Sequence, residues 1–482
     1  MNWRFLALML ALCLPAGSAQ AGAADRPLAV AGGYENWRLP GDERLGMAHA
    51  EVLFEVAPDW WLGPTVYGAA SGQRGGFYVG GLAVQRPVAL TPGLWLVPGF
   101  ALGGGGGAAA PVGNGLMLRP SLALQLPIGD WRAGIGVSQV SFPGTDIRST
   151  QWGLVAEWHG RFVAEPLGSI GRRLAADGRS GLGFDRMALT AGRYTLSDAT
   201  TKVDLVGVRL DRFGSDRRLY WGVEAAAAAN RSNAGYMEIL GHGGAEFTLA
   251  EALRVGARAA LGFGGGGAVP TGGGTIGHLD ATLTLTPAPG WQLGAAIGRV
   301  GGTSSAMRGT RAELSLAADL EPLAPPGTPG RSGTVRRVDW AGAVQQIGSV
   351  HRNDGSEGAL QTIGLQLNWW LNENAYLSGQ AHSAAGGGAG AYSQGLLGAG
   401  IATPFRGRYL QLGAELLAGG AGGGGVQSLS GAIVQATLWA GIQPYRDGAH
   451  LRLGVGMEKS HSGPSSPVLA IGWVVPFAQV TR

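Results

Sequence analysis

The mature part of this 482-residue sequence lacks cysteine altogether. The single cysteine, Cys13, lies in an N-terminal segment that has the features of a cleaved export signal: a positive charge at Arg4, an apolar stretch over 5–14 and small residues before the predicted cleavage site. Removal of residues 1–21 leaves a chain that can form neither a disulfide nor a thiolate metal site. We therefore expect an exported protein without cysteine chemistry.

Long apolar runs and an excess of one charge are also missing. Beyond the predicted signal peptide, no segment reaches the length of about 18 uninterrupted apolar residues that a membrane-spanning helix needs, although 45% of the residues are hydrophobic. The 36 basic and 32 acidic side chains are scattered over the chain. A nucleic-acid-binding protein concentrates basic residues on one face, so we expect no nucleic-acid partner.

What the sequence does contain is one unit that occurs three times. Glycine runs stand at 103–107, 264–267 and 422–425, and similar neighbouring residues recur around each run. Self-similarity at a long, fixed period indicates tandem copies of one structural unit. The copies are predicted at 22–162, 183–322 and 335–482, with linkers at 163–182 and 323–334.

Hydrophobicity within each copy has a period of two. In 277–286, for example, the polar His278 and Asp280 alternate with the apolar Leu279 and Leu283. Such alternation predicts β-strands with one polar and one apolar face, and no helical period of comparable strength is present. Turn-forming residues divide each copy into eight strands, which gives 24 strands in all.

Tryptophan marks one end of these strands. Trp60, Trp131, Trp221 and Trp291 all lie beside alternate turns. A one-sided row of aromatic residues is typical of a membrane interface, and strands of this length with one continuous apolar face are long enough to span a bilayer. The alternative is a soluble β-sandwich with the tryptophans in its core, but such a fold normally has shorter strands and longer connections.

Taken together, the export signal, the cysteine-free mature chain, the even strand number and the alternating segments resemble the outer-membrane β-barrels of Gram-negative bacteria. The last strand, 469–477, is similar to the C-terminal assembly signal of that class, although it contains Pro476 and continues past Phe477. The resemblance covers the whole mature chain and implies an outer-membrane location in contact with lipid. It is architectural, so it points to no particular family and assigns no functional residue.

The predicted sheet could close in two ways. We expect one 24-stranded transmembrane antiparallel β-barrel, because glycines interrupt many strands and only the third copy ends in anything like an assembly signal. The alternative is three separate eight-stranded barrels joined by two periplasmic linkers, since eight strands suffice to close a small, side-chain-filled barrel. The partner of the strand near 28–38 decides: pairing with 466–479 closes one barrel, and pairing with 147–162 closes three.

No catalytic, cofactor or metal site is indicated by the sequence. Charged residues that share a strand face could bind a metal, yet charged side chains are expected in any barrel lumen, because lipid excludes them. The candidate lumen-lining residues are His49, Glu51, Glu157, His159, His278, Asp280, Arg311, Glu313 and Gln366. The candidate partner-contact residues of the linkers are Arg172, Arg173, Arg179 and Arg331.

The glycine runs have two interpretations. They either mark bulges and tight turns at the ends of the fifth strands, or they leave three patches of bare backbone on which another chain can pack closely. As nucleotide-binding motifs they lack the required strand and helix context.

A wide barrel without a plug domain predicts a pore or export conduit for a bulky or polar substrate, closed or fed by a periplasmic partner at the arginine-bearing linkers. The rival hypothesis is a structural or surface-interaction protein of the outer membrane that transports nothing. We do not expect an enzyme.

Overall fold

The fold was established from a computed structural model that describes residues 26–176, 181–198, 200–304, 306–320, 331–405, 409–427, 431–443, 448–460 and 465–481. The predicted signal peptide, with Cys13, lies outside the described residues, and so does Arg179. In the described part of the chain, no helix is long and apolar enough to cross a membrane.

The described residues form 26 antiparallel strands, of which 25 make up three closed barrels. Barrel 1 consists of β1 (Arg26–Leu39), β2 (Glu43–Ala57), β3 (Trp60–Ser71), β4 (Tyr78–Gln85), β5 (Val88–Thr91), β6 (Leu94–Gly106), β7 (Leu116–Ile128), β8 (Trp131–Ser141) and β9 (Arg148–Phe162). Strand β10 (Arg173–Ala176) lies between barrels 1 and 2 in the sequence.

Barrel 2 consists of β11 (Arg186–Leu196), β12 (Lys202–Phe213), β13 (Leu219–Ala228), β14 (Met237–Ala250), β15 (Leu253–Gly265), β16 (Thr275–Ala288), β17 (Trp291–Gly302) and β18 (Arg308–Asp319). Barrel 3 consists of β19 (Arg331–His351), β20 (Glu357–Trp370), β21 (Ala375–Gly386), β22 (Ser393–Ala402), β23 (Leu410–Gly422), β24 (Ala432–Ile442), β25 (His450–Ser460) and β26 (Ser465–Thr481).

Each copy closes on itself. Strand β1 pairs with β9, so that Arg26 lies opposite Phe162; β11 pairs with β18, and β19 pairs with β26. The prediction of a single 24-stranded barrel is therefore wrong, and the alternative of three eight-stranded barrels is confirmed. The physical reason is that large polar and aromatic side chains fill each interior, as a small barrel requires.

Turn chemistry places the strand ends close to where the sequence predicts them. Gly129 and Asp130 form a two-residue turn between β7 and β8, and Gly129 adopts a φ of 62°, which glycine tolerates without strain. Strands β4 and β5 both pair with β6 and act as one wall strand. They are separated because Pro87 has no backbone N–H to continue the ladder.

The two ends of the barrels differ. At the linker end, defined by Arg26 and Phe162, the chain enters and leaves barrel 1, and the other two barrels are arranged in the same way. At the glycine end lie the glycine runs, which terminate β6, β15 and β23. Each lumen also contains a buried apolar cluster, and in barrel 1 it includes Trp37, Phe77 and Phe142.

The first linker is folded against barrel 3. The Glu165 amide donates to the Ala478 carbonyl at 2.7 Å, a short 3₁₀ turn follows at Leu167–Ser169, and β10 then pairs with β19, with Arg173 opposite Thr334. Strand β19 begins at Arg331, within the stretch expected as the second linker. The start of β19 and the end of β26 are thus held between two parts of the first linker.

Candidate functional site: three filled interiors and a glycine-lined bowl

The interior of barrel 1 is centred on Glu35 and Arg119. The Arg119 guanidinium donates to both carboxylate oxygens of Glu35, at 2.9 Å and 2.8 Å. Ser138 and the Trp37 indole donate to the same carboxylate at 2.8 Å and 2.6 Å. Both charged groups are buried. Because the pair is bidentate and its remaining lone pairs are satisfied, it is a rigid block inside the lumen.

Barrel 2 is filled by a lattice of ion pairs. Arg258 donates to Asp280 at 2.9 Å and to Glu313 at 3.0 Å, and Arg311 binds the same two carboxylates. Both arginines are buried. Further buried members of the lattice are Arg186, Arg209, Asp211, Glu224, His242, Glu246 and His278.

Barrel 3 is filled mainly by amides and aromatic hydroxyls. Glu415 is the central acceptor: Arg452 lies 2.7 Å from it, while Tyr376, Gln366 and Gln380 each donate to it at 3.1 Å. All of these side chains are buried. The network crosses the lumen, because its members come from β20, β21, β23 and β25.

The predicted lumen-lining residues are divided among the three interiors. His49, Glu51, Glu157 and His159 face the interior of barrel 1, His278, Asp280, Arg311 and Glu313 that of barrel 2, and Gln366 that of barrel 3. Of the predicted pairs, His159 Nε2 lies 2.7 Å from Glu157 and His278 Nδ1 lies 3.0 Å from Asp280. No common lumen brings the nine residues together, because the barrels are separate.

The outer surface of the barrels is apolar. The residues that alternate with the interior networks point outward, and Leu279 and Leu314 are exposed to 63% and 67%. At the linker end, Trp60, Trp131 and Trp291 are exposed at strand starts that follow two-residue turns, and Trp221 is exposed near the start of β13. A lipid-facing belt bordered by tryptophan is the surface that a bilayer requires.

The glycine runs join the barrels in a cyclic pattern. The loop around Gly76 of barrel 1 meets Gly265 and Gly266 of barrel 2, where a Cβ atom on Gly76 or Gly265 would overlap backbone of the other barrel. The same contact recurs twice. Gly235 of barrel 2 meets Gly422 of barrel 3, and Gly390 of barrel 3 meets Gly106 of barrel 1. Backbone hydrogen bonds reinforce two of these contacts, from Gly75 to Gly272 at 2.8 Å and from Gly390 to Gly113 at 2.9 Å.

The three barrels thus form a closed ring with pseudo-threefold symmetry, in which each barrel contacts the next in the same head-to-tail manner. The three glycine runs surround the axis and line a bowl with a volume of about 530 Å³. Its walls are mainly glycine and alanine backbone. The interpretation of the runs as patches of bare backbone that permit close packing fits these contacts. The partners are the three copies within this chain rather than another chain.

The linker arginines lie at the opposite end. Arg172 and Arg173 are exposed beside the strand that pairs with barrel 3. Arg331 lies opposite Ala176 in the same pairing, and Arg179 falls outside the described residues. None of the described residues forms a cluster of three or more histidine, cysteine, aspartate or glutamate side chains suited to a metal ion.

The closed antiparallel barrels, the apolar belt and the polar interiors define a β-barrel membrane protein of the outer-membrane type. The sequence matches no known protein-family model, and no curated protein matches it. Similar solved structures include the siderophore receptor PirA from Pseudomonas aeruginosa (9% identity over 94% of this chain and 81% of that chain, TM-score 0.26). They also include the FrpB iron transporter from Neisseria meningitidis (10%, 96% and 87%, TM-score 0.28).

A third similar structure is the outer-membrane protein OpdK from P. aeruginosa, at 12% identity over 94% of this chain and 98% of that chain, with a TM-score of 0.24. At such identities and TM-scores, these structures give no information about the substrate or mechanism of this chain.

Sequence reasoning missed the residues that matter most for closure. Glu35, Arg119, Arg258 and Glu415 were not among the predicted lumen residues, although all lie at inward positions of regular strands. The available signal was the bulk of the inward positions: the second copy places Arg186, Arg209, Arg258 and Arg311 on one face of the sheet. Four such side chains facing inward suit a narrow lumen better than a wide one.

Proposed function

We propose that this protein is a non-conducting outer-membrane protein in which three closed barrels form one membrane-embedded body with a structural or surface-interaction role. The observation that carries the proposal is the filling of each lumen. Barrel 1 is blocked by the Glu35–Arg119 pair and by a buried apolar cluster. Barrels 2 and 3 also combine an apolar cluster with a hydrogen-bonded polar network.

The proposal includes an orientation. The tryptophan row and the linkers occupy one end, so we place that end at the periplasmic interface and the glycine bowl at the outer surface. The stretches 163–182 and 323–334 are then periplasmic. A periplasmic partner would meet Arg172 and Arg173, which are exposed. Such a partner is not needed to close a pore, because the side chains inside each barrel already do so.

Transport is the second candidate function, and one observation favours it. Barrel 1 contains an internal cavity of about 60 Å³ beside the Glu35–Arg119 pair. One water molecule needs about 10–15 Å³ of such volume, so the cavity can hold several water molecules. A path through barrel 1 would carry only small solutes, because the apolar cluster around Trp37 has to move before anything larger can pass.

Planar-bilayer conductance separates the two functions. We expect the refolded wild-type protein to show no steady open state, whereas Arg119→Ala should produce small openings because it removes the block beside the cavity. Arg452→Ala, a buried arginine of barrel 3, is the matched control for loss of a buried arginine without that neighbouring cavity. A steady, porin-like open state of the wild type would overturn the proposal and support transport.

A further inference from the structure

The middle of barrel 1 has an internal cavity because its inward positions carry small residues. Gly99, Gly136, Gly153, Ala83 and Ala101 line the cavity of about 60 Å³. The corresponding space in barrel 2 holds long arginine side chains. A cavity of this size with polar walls holds water or a small ion, and it is too small for an organic ligand.

The charges around this cavity do not balance. Its charged lining residues are two carboxylates, Glu35 and Glu51, and one guanidinium, Arg119. Arg119 is paired with Glu35 through two hydrogen bonds. Glu51 is 5% exposed. A buried carboxylate without a counter-charge is strongly unfavourable, so Glu51 needs a positive partner.

The protein contacts of Glu51 do not provide that partner. Its carboxylate accepts hydrogen bonds from Gln85 at 2.9 Å, from Thr65 at 3.3 Å and from Tyr67 at 3.4 Å, and all three donors are neutral. His49 lines the same cavity, but its Nδ1 has no hydrogen-bond partner among the described residues. A protonated imidazole needs acceptors for both of its N–H groups, so His49 is poorly placed to serve as the counter-charge.

A second buried acceptor lines the same cavity. Gln125 is 1% exposed, and its Oε1 has no hydrogen-bond partner in the described part of the chain. A buried carbonyl oxygen without a donor costs free energy unless water or an ion satisfies it. Glu51 and Gln125 therefore offer carboxylate and amide oxygens to one polar space, and these are hard ligands suited to alkali and alkaline-earth cations.

We propose that the cavity of barrel 1 binds a small monovalent cation, Na⁺ or K⁺, together with water, through Glu51 and Gln125. The charge count selects a monovalent ion, because one uncompensated carboxylate is present and a divalent ion would leave an excess positive charge in a buried site. An anion is excluded by the same count. The site is internal to a closed barrel, so it contributes to filling the lumen rather than to conduction.

The test is made on the full mature chain, refolded in detergent. The unfolding midpoint is measured in NaCl, in KCl and in N-methyl-D-glucamine chloride at equal ionic strength, and ²³Na NMR line width is followed with and without protein. We expect a midpoint that rises with Na⁺ or K⁺ and saturates, because a ligand that binds only the folded state stabilises it. A midpoint that is equal in all three salts, together with an unchanged line width, would overturn the proposal.

Variants locate the site. Glu51→Gln should abolish the difference between the salts, and Gln125→Leu should weaken it. The matched control is Glu157→Gln, which removes another buried carboxylate of barrel 1 that does not line the cavity. If Glu157→Gln and Glu51→Gln lose the salt difference equally, the cation does not bind in the cavity. If Glu51→Gln fails to fold, Gln125→Leu and the wild-type titration still decide.

Discussion

Barrels 1 and 2 are built on the same plan but are filled in different ways. Both have eight wall strands, an apolar cluster in the lumen and a polar middle. In barrel 2 the middle is a lattice of buried ion pairs in which one carboxylate, Glu313, contacts Arg209, Arg258 and Arg311. In barrel 1 the middle contains one such pair, Glu35 and Arg119, and a cavity.

An eight-stranded barrel therefore places different demands on its wall and on its interior. The wall is specified by alternation and turns, which the three copies share, whereas the interior can be completed by several kinds of side chain. An interior of many interlocked charges tolerates no removal, because each charge is the partner of others. An interior with spare volume tolerates change, because water can enter where a side chain is lost.

The largest expected effect follows from removing the arginine at the centre of each interior. Arg258→Met in barrel 2 removes a buried positive partner that Asp280 and Glu313 share, and we expect a loss of about 3–5 kcal/mol. Arg119→Met in barrel 1 should cost less, because water in the adjacent cavity can solvate the Glu35 carboxylate once the guanidinium is gone. Urea unfolding of both variants in the same detergent measures the difference.

The difference in stability between these two variants tests the comparison of barrels 1 and 2. Arg193 pairs with Asp204 at an exposed position of barrel 2, so Arg193→Met is the control for loss of an arginine at the surface, and we expect it to change stability little. Equal losses in the free energy of unfolding for Arg258→Met and Arg119→Met would show that the cavity does not make the interior of barrel 1 more tolerant of substitution.

A smaller effect is expected where the two barrels meet. Gly76→Val places a branched side chain against the backbone of Gly265 and Gly266, and Gly76 has a φ of 91°. Overpacking of this kind costs about 1–3 kcal/mol. The loss should be confined to the contact between barrels, so hydrogen exchange should accelerate at the Gly75 amide, which donates to Gly272.

Gly80→Val is the matched control for this interface, because nothing lies within 4 Å of a Cβ atom at Gly80. It should leave exchange at Gly75 unchanged. Fast exchange throughout β4 and β6 in the Gly76 variant would instead indicate that barrel 1 itself opens, and the glycine contacts would then be part of barrel closure rather than of barrel association.

The wall of this fold could be predicted from the sequence, and its closure could not. The strand expected at 147–162 is β9, which spans Arg148–Phe162, because alternation and turn residues are local signals. The same local signals describe a strand in a barrel of any size. Closure depends on which distant strand pairs with β1 and on whether the inward side chains fill the lumen, and neither property is visible in one strand.

The candidate site shows the same limit. His278 and Asp280 share a strand face, so their proximity could be read from spacing alone. That Arg258 and Arg311 reach the same carboxylate from two other strands depends on register, which the sequence does not reveal. The glycine contacts between barrels depend on how whole barrels pack. The repetition of the glycine runs can be seen in the sequence, but the contacts between them cannot.

The smallest expected effect comes from an exposed turn at the glycine end of barrel 3. The Ser356 hydroxyl and amide donate to Asp354 at 2.7 Å and 2.9 Å and hold the pKa of its carboxyl below the usual value. A carboxyl whose pKa is lower in the folded state stabilises the fold above the unfolded-state pKa, and this contribution is lost as the pH falls through the folded-state pKa. Asp354→Ala should therefore lower the unfolding midpoint slightly at pH 6 and have a smaller effect at pH 2. A midpoint difference for Asp354→Ala that is the same at both pH values would show that the turn acts through packing and not through the charge of Asp354.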